Sequence, residues 1–138
     1  MNHLLFYWTK GNYQSDKREG LFNYTLNQNA PNINAVNIGE SVWAFTRRND
    51  NVYVLAAQLV VIQKNNNSPG FKYGQYRVTG DKSPSTYFDI NAQTDVEPLI
   101  RKLVLANASI LGRSFQGYSA VRVISDTDHA TLTAHVVH

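Results

Sequence analysis

The sequence predicts an α+β domain built on a small, strongly curved mixed β-sheet or open barrel with a few short helices. Three observations lead there. Strand-like runs outnumber helix-like ones. One of them, residues 52–63, is almost continuously apolar, as a strand buried on both faces is. Helical spacing occurs only in short stretches, without the regular βα alternation of a doubly wound sheet. The 138 residues suit one domain, expected to span 1–138. A chain of that length buries roughly two-thirds of its unfolded surface.

The elements follow in order. Residues 3–9 alternate, with Leu4, Phe6 and Trp8 on one face and Leu5, Tyr7 and Thr9 on the other, which predicts a central strand. Residues 10–20 are polar and read as a loop. Residues 21–29 suit a short helix, because Leu21 or Phe22 and Leu26 fall near one face, and Pro31 ends it. Asn37-Ile38-Gly39-Glu40 is a turn. In the strand 41–47, Trp43 and Phe45 oppose Val42 and Ala44. Asn49-Asp50-Asn51 marks a hairpin into the apolar strand 52–63. The run from Asn65 to Gly70 reads as an exposed loop, and further strands are predicted at 71–79 and 87–90. Val96, Leu99, Ile100, Leu103 and Val104 have helical spacing, with Pro98 tolerable in the first turn. Ser125 can cap a last helix, with Asp126 and Asp128 at its positive end. Residues 106–120 stay unassigned.

Composition narrows the function. Hydrophobic residues make up 43% and charged residues 17%, as in a folded core rather than a disordered tail. With no cysteine, disulfides, thiolate metal sites and thiol catalysis are excluded. A reducing cytoplasm is compatible with this and is the expected location. The apolar run at the N-terminus is too short for a signal peptide or a membrane span, so no membrane partner is expected. Thirteen Lys and Arg against ten Asp and Glu give a net charge of +3. That permits nucleic-acid binding without demanding it. The phosphate-binding candidates are Lys10, Lys17 and Arg18 after the first strand, and Arg47 and Arg48 after the strand 41–47. The competing assignment is a solvated loop whose field Asp16, Glu19 and Asp50 cancel. Apart from His135 and His138 at the end of the chain, no pair of histidines has metal-ligand spacing, and His129 stands alone, so neither a metal nor another cofactor is expected. No nucleophile–base set, phosphate loop or carboxylate pair stands out, so a binder is expected rather than an enzyme.

Three segments carry a family likeness: Phe6-Tyr7-Trp8-Thr9, Gly20-Leu21-Phe22-Asn23-Tyr24, and Gly39-Glu40-Ser41-Val42-Trp43-Ala44-Phe45 followed by the apolar strand. Their order resembles EVE-like domains of the PUA-like superfamily, closest to those found ahead of nuclease modules in bacterial modification-dependent restriction systems. The likeness covers about residues 3–63 well and the rest loosely. It implies a PUA-like open barrel with an aromatic cage for a flipped, modified base, most of all a modified cytosine in DNA. The positions that match are Trp8, Thr9, Asn23, Tyr24, Trp43 and Phe45. Nuclease motifs are missing from the chain, so the likeness leaves cleavage to a partner or a fused domain.

The chemistry is coherent with that expectation. A base needs aromatic walls for its faces and an amide for its edge. Trp8, Tyr24 and Trp43 are candidate walls, and Asn23 supplies both a donor and an acceptor. Core packing is the competing role for every one of these aromatics. A reader of modified RNA, or a sensor or enzyme for a small nucleotide-derived ligand, uses the same pocket and stays open.

Overall fold

The sheet is mixed and strongly curled into a half-barrel, with three short α-helices outside it. The computed structural model describes residues 2–106 and 108–138. The strands are β1 (His3–Tyr7), β2 (Thr25–Gln28), β3 (Ser41–Arg47), β4 (Tyr53–Asn66), β5 (Tyr76–Gly80), β6 (Thr86–Tyr87) and β7 (Val121–Ile124). The helices are α1 (Lys10–Arg18), α2 (Glu97–Leu103) and α3 (Asp126–His135). The strand order is β2-β5-β4-β3-β1-β7, and β6 pairs with β4 beside this path. β1 runs parallel to β3 and antiparallel to β7, so it is central, as its two apolar faces predict.

The curl has a visible cause. β4 pairs with β3 through its first part and with β5 through its last, and both ladders carry a register shift, at Ala44/Phe45 and at Val61/Gln63. Bulges bend a strand and raise its twist. A 3₁₀ turn at Pro31–Ala35 then packs against both β5 and β7, the second and last strands of the order. Asn32 reinforces this by donating its side-chain amide to the Val121 carbonyl. Before β3, Gly39 turns the chain at φ +92, where a side chain would be strained, and its N–H donates to the Val61 carbonyl.

Both faces of the sheet are covered. One cluster joins Leu5, Trp43, Phe45 and Leu55 to Ile100 of α2 and Leu132 of α3. The other gathers Leu4, Leu26, Ile33, Val42, Val61 and Val78. The alternation of Trp43 and Phe45 against Val42 divides the two clusters in the way the sequence predicts. Ser125 caps α3 in a full capping box with Asp128.

Several boundaries differ from expectation: of the strand predicted over 71–79 only 76–79 is strand, because the chain turns at 71–74, and of that over 87–90 only Tyr87 joins a strand. Residues 10–18 are helical, not a loop. Tyr13 is the helix's one buried residue, so no apolar periodicity announces it. The segment predicted as a helix over 21–29 holds strand β2, because Leu26 packs opposite Val78 of β5. Tertiary pairing there overrides a weak local preference. β4 continues through the Asn-rich run to Asn66 because β5 supplies its ladder. β7 was not anticipated; only four residues long, it leaves little periodicity to read.

Candidate functional site

The predicted pocket residues separate into two groups. Trp43 and Phe45 have no exposed surface and belong to the core beneath α2 and α3. A ring without exposed surface offers no wall to a ligand, so both leave the expected cage. The Trp43 indole N–H donates to His129 Nδ1 at 3.0 Å. Thr9 also has a structural role: it is the N-cap of α1, its hydroxyl accepting from Asn12 N–H at 3.3 Å.

Trp8, Asn23 and Tyr24 stay together near the surface, within a cluster the sequence only half reveals. Trp8 meets Tyr13 edge-on at 4.9 Å and Phe22 at 5.1 Å. Phe22 stacks on Tyr87 at 4.5 Å, and Tyr24 meets Tyr87 edge-on at 5.0 Å. Of these five rings only Tyr13 is buried; the others are half-buried. The backbone fixes their places. Trp8 N–H donates to the Phe45 carbonyl at 2.8 Å, and its indole N–H donates to Asp16 Oδ2 of α1 at 3.1 Å. Tyr24 adopts φ +61, which turns its N–H onto the Tyr87 hydroxyl at 2.8 Å, and its carbonyl accepts from Gly80 N–H at 2.7 Å. Burial pushes the Tyr87 phenol up, so it is protonated at neutral pH. Exposed Asn23 lies between Phe22 and Tyr24, with its side-chain oxygen accepting from the Thr25 hydroxyl at 2.6 Å. Sequence reasoning missed Tyr13, Phe22 and Tyr87 as members; the alternation of 87–90 marks a strand but not its neighbour.

The rings pack on one another. A base slotted between two walls needs their centroids about 7 Å apart, twice the contact distance of carbon atoms. The ring pairs that touch in this cluster have centroids 4.5 to 6.1 Å apart, too close to admit a base between them. The cluster therefore offers outer ring faces rather than an open slot.

Beside it lies a cleft of about 740 Å³, lined by Tyr13, Lys17, Arg18, Arg47, Arg48 and Asn91 among others. Four of the five predicted phosphate-binding cations thus surround one cavity, and Tyr13 joins that cavity to the aromatic cluster. Lys10, at the opposite end of α1, does not line it. Arg48 is already committed. Its guanidinium makes two hydrogen bonds to Asp50, at 3.1 and 3.0 Å, and two more to the Ile90 and Gln93 carbonyls. The first of these contacts holds the Asp50 carboxyl below its usual range. Arg48 therefore clamps the 48–52 turn to the loop before α2, and its charge is spent on Asp50. Lys17 and Arg18 stand exposed in the last turn of α1, where the helix dipole also favours them. Arg47 reaches Asn51 O at 3.3 Å and lies 5.4 Å from the Tyr53 ring centroid. Lys17, Arg18 and Arg47 are the cations this cleft presents.

A second polar cluster brings together residues far apart in sequence. His3 Nε2 lies 2.7 Å from Asp126 Oδ1 and 3.2 Å from Glu40 Oε2. His129, expected to stand alone, stacks on His3 at 4.0 Å. The three donors are close enough for a cation. The proton arrangement opposes one: Ser41 N–H donates to His3 Nδ1 at 3.0 Å, so the proton resides on Nε2 and occupies the lone pair a metal needs. The hydrogen bond from His3 holds the Asp126 carboxyl below its usual range. This cluster ties β1, β3 and α3 together.

No family model matches the chain, and no curated protein matches it. Among the described residues, no helix is long and apolar enough to cross a membrane.

Proposed function

We propose that the chain is a nucleic-acid-binding module that stacks an extruded base on the Trp8–Phe22–Tyr24–Tyr87 cluster and holds the adjoining phosphates with Lys17, Arg18 and Arg47. The observation that carries the reading is the shared Tyr13, which lines the cationic cleft and packs against both Trp8 and Phe22. Asn23 sits at the rim, where its amide can meet a base edge. The half-barrel is the kind of scaffold a PUA-like, EVE-type domain uses. Under that likeness the base is a modified one, with modified cytosine in DNA favoured and cleavage left to a partner or separate domain.

The energetics define what such a reader needs. Extruding a base costs a few kcal/mol. One aromatic stack returns about 1–3 kcal/mol. The two nearly cancel, so the cations must supply much of the affinity. A buried methyl adds only about 0.8 kcal/mol, roughly fourfold, so strong discrimination requires hydrogen bonds to the modification.

The test is binding of matched duplexes carrying cytosine, methylcytosine, hydroxymethylcytosine, adenine or methyladenine at two salt concentrations, with modified RNA as competitor. Selective binding of one modified duplex is the expected result. Equal, weak and steeply salt-dependent binding to all reduces the module to generic electrostatics. Stabilisation by free nucleosides without oligonucleotide binding overturns the reading in favour of a small-molecule site.

A further inference from the structure

The charge of the chain is unevenly placed. Residues 20–39 carry none, and residues 51–80 carry Lys64, Lys72 and Arg77 with no acid. Three of the thirteen cations and none of the ten acids fall there, so the rest of the chain is balanced and the whole +3 belongs to these segments. The fold puts them side by side: β2, β5 and the last part of β4 pair as one ribbon.

That ribbon ends in a hairpin, residues 67–75, with two exposed rings. Tyr73 is 61% exposed and Phe71 38% exposed, and they meet edge-on at 5.7 Å. Each has a cation beside its ring: Lys72 Nζ lies 4.8 Å from the Tyr73 centroid, and the Arg77 guanidinium 5.6 Å from that of Phe71. The hairpin is held firmly at its base. Gly74 lies so close to Gln28 that a Cβ would stand 2.5 Å from the Gln28 backbone. Asn67 donates to both Asn27 Oδ1 and the Gly74 carbonyl. Beside Phe71 is a cleft of about 540 Å³ lined with amides, among them Asn29, Asn66, Asn67 and Gln75.

We infer that this hairpin is a second nucleic-acid contact, which takes unpaired bases of a single strand on Phe71 and Tyr73 and their phosphates on Lys72. The inference rests on the nucleic-acid reading above and extends it to a separate surface. It lies at the far end of β4 from the cationic cleft, along a fourteen-residue strand whose path is about 45 Å. A single strand is the occupant because a ring can stack only on a base face that a duplex keeps covered. Acid-free cationic surface with interleaved aromatics is what a sequence-tolerant strand contact needs. The amides of the cleft are suited to base edges.

The experiment measures affinity for unmodified oligothymidine, for a modified duplex and for phosphatidylserine vesicles. It compares the wild type with a Phe71→Ala/Tyr73→Ala double variant and with Lys72→Gln, thermal melting confirming that each is folded. The double variant is expected to lose at least about tenfold in affinity for oligothymidine, while the modified duplex binds as before. Lys72→Gln is expected to lower the slope of log affinity against log salt by about 0.7. Oligothymidine binding unchanged in the double variant overturns the inference and leaves the Trp8 site standing. Ring-dependent binding to vesicles but not to oligothymidine overturns it in favour of a lipid surface. A wild type that binds neither nucleic acid sinks the underlying reading, and the inference with it.

Discussion

Trp43 and Trp8 are both reached by strand alternation and flanked by aromatics, yet the structure gives them opposite environments. Trp43 lies under α2 and α3 with no exposed surface, among Phe45, Ile100 and Leu132. Trp8 lies just past the end of β1, among rings that are half open, next to a cationic cleft. The difference is set by elements distant in sequence. Helices from the C-terminal part of the chain cover one region, whereas α1, the 20–24 loop and Tyr87 of β6 border the other. An aromatic on a strand is therefore ambiguous until its cover is known.

The largest effect that separates the two regions is on stability. Trp43→Ala empties a closed site and leaves His129 Nδ1 without its donor, and is expected to cost about 3–5 kcal/mol in chemical denaturation. Phe22→Ala removes a half-exposed ring and is expected to cost about 1–2 kcal/mol, with the Trp8 emission changed. Equal costs would erase the distinction between core and surface cluster. A smaller effect is electrostatic. Lys17→Gln should leave the melting temperature unchanged, Arg47→Gln should lower it slightly by releasing Asn51 O and the Tyr53 ring, and each should lower the salt slope of duplex binding by about 0.9. Arg48→Gln should instead destabilise the fold, because it releases the Ile90 and Gln93 carbonyls as well as Asp50.

The smallest effect concerns pH. Burial, and then the neighbouring His3, hold His129 below the ordinary histidine value, while Asp126 and Glu40 act weakly in the other direction. The unfolded chain then takes up the proton first, so stability present above about pH 6.5 is lost as pH falls below it. Melting temperatures across that range should decline on acidification, and His129→Gln should flatten the decline. A decline that persists unchanged in the variant would assign it to other groups.

Much of the fold was legible in the chain. The alternation of residues 3–7 set Leu5 apart from Leu4, that of 41–47 set Trp43 and Phe45 apart from Val42, and Ser125 with Asp128 marked the start of α3; which faces of the two strands join is shown only by their pairing. Helix α1 was not legible, because Lys10–Arg18 buries only Tyr13 and is held by the Thr9 cap and the Trp8–Asp16 hydrogen bond. β2 was misread because Leu21, Phe22 and Leu26 mimic helical spacing, while its strand register comes from Val78, more than fifty residues later. The same limit applied to the site. Asn23, Tyr24 and Trp8 are near one another in sequence or motif, but Tyr87 and the His3–Glu40–Asp126 cluster arise only from long-range pairing.

The central claim is that bases meet Trp8 and not Trp43. The chain has two tryptophans, so fluorotryptophan labelling gives two fluorine resonances, assigned with a Trp8→Phe variant. On titration with the modified duplex that binds best, the Trp8 resonance is expected to shift and the Trp43 resonance to stay in place. Saturable binding that moves only Trp43, or moves neither, would contradict the claim.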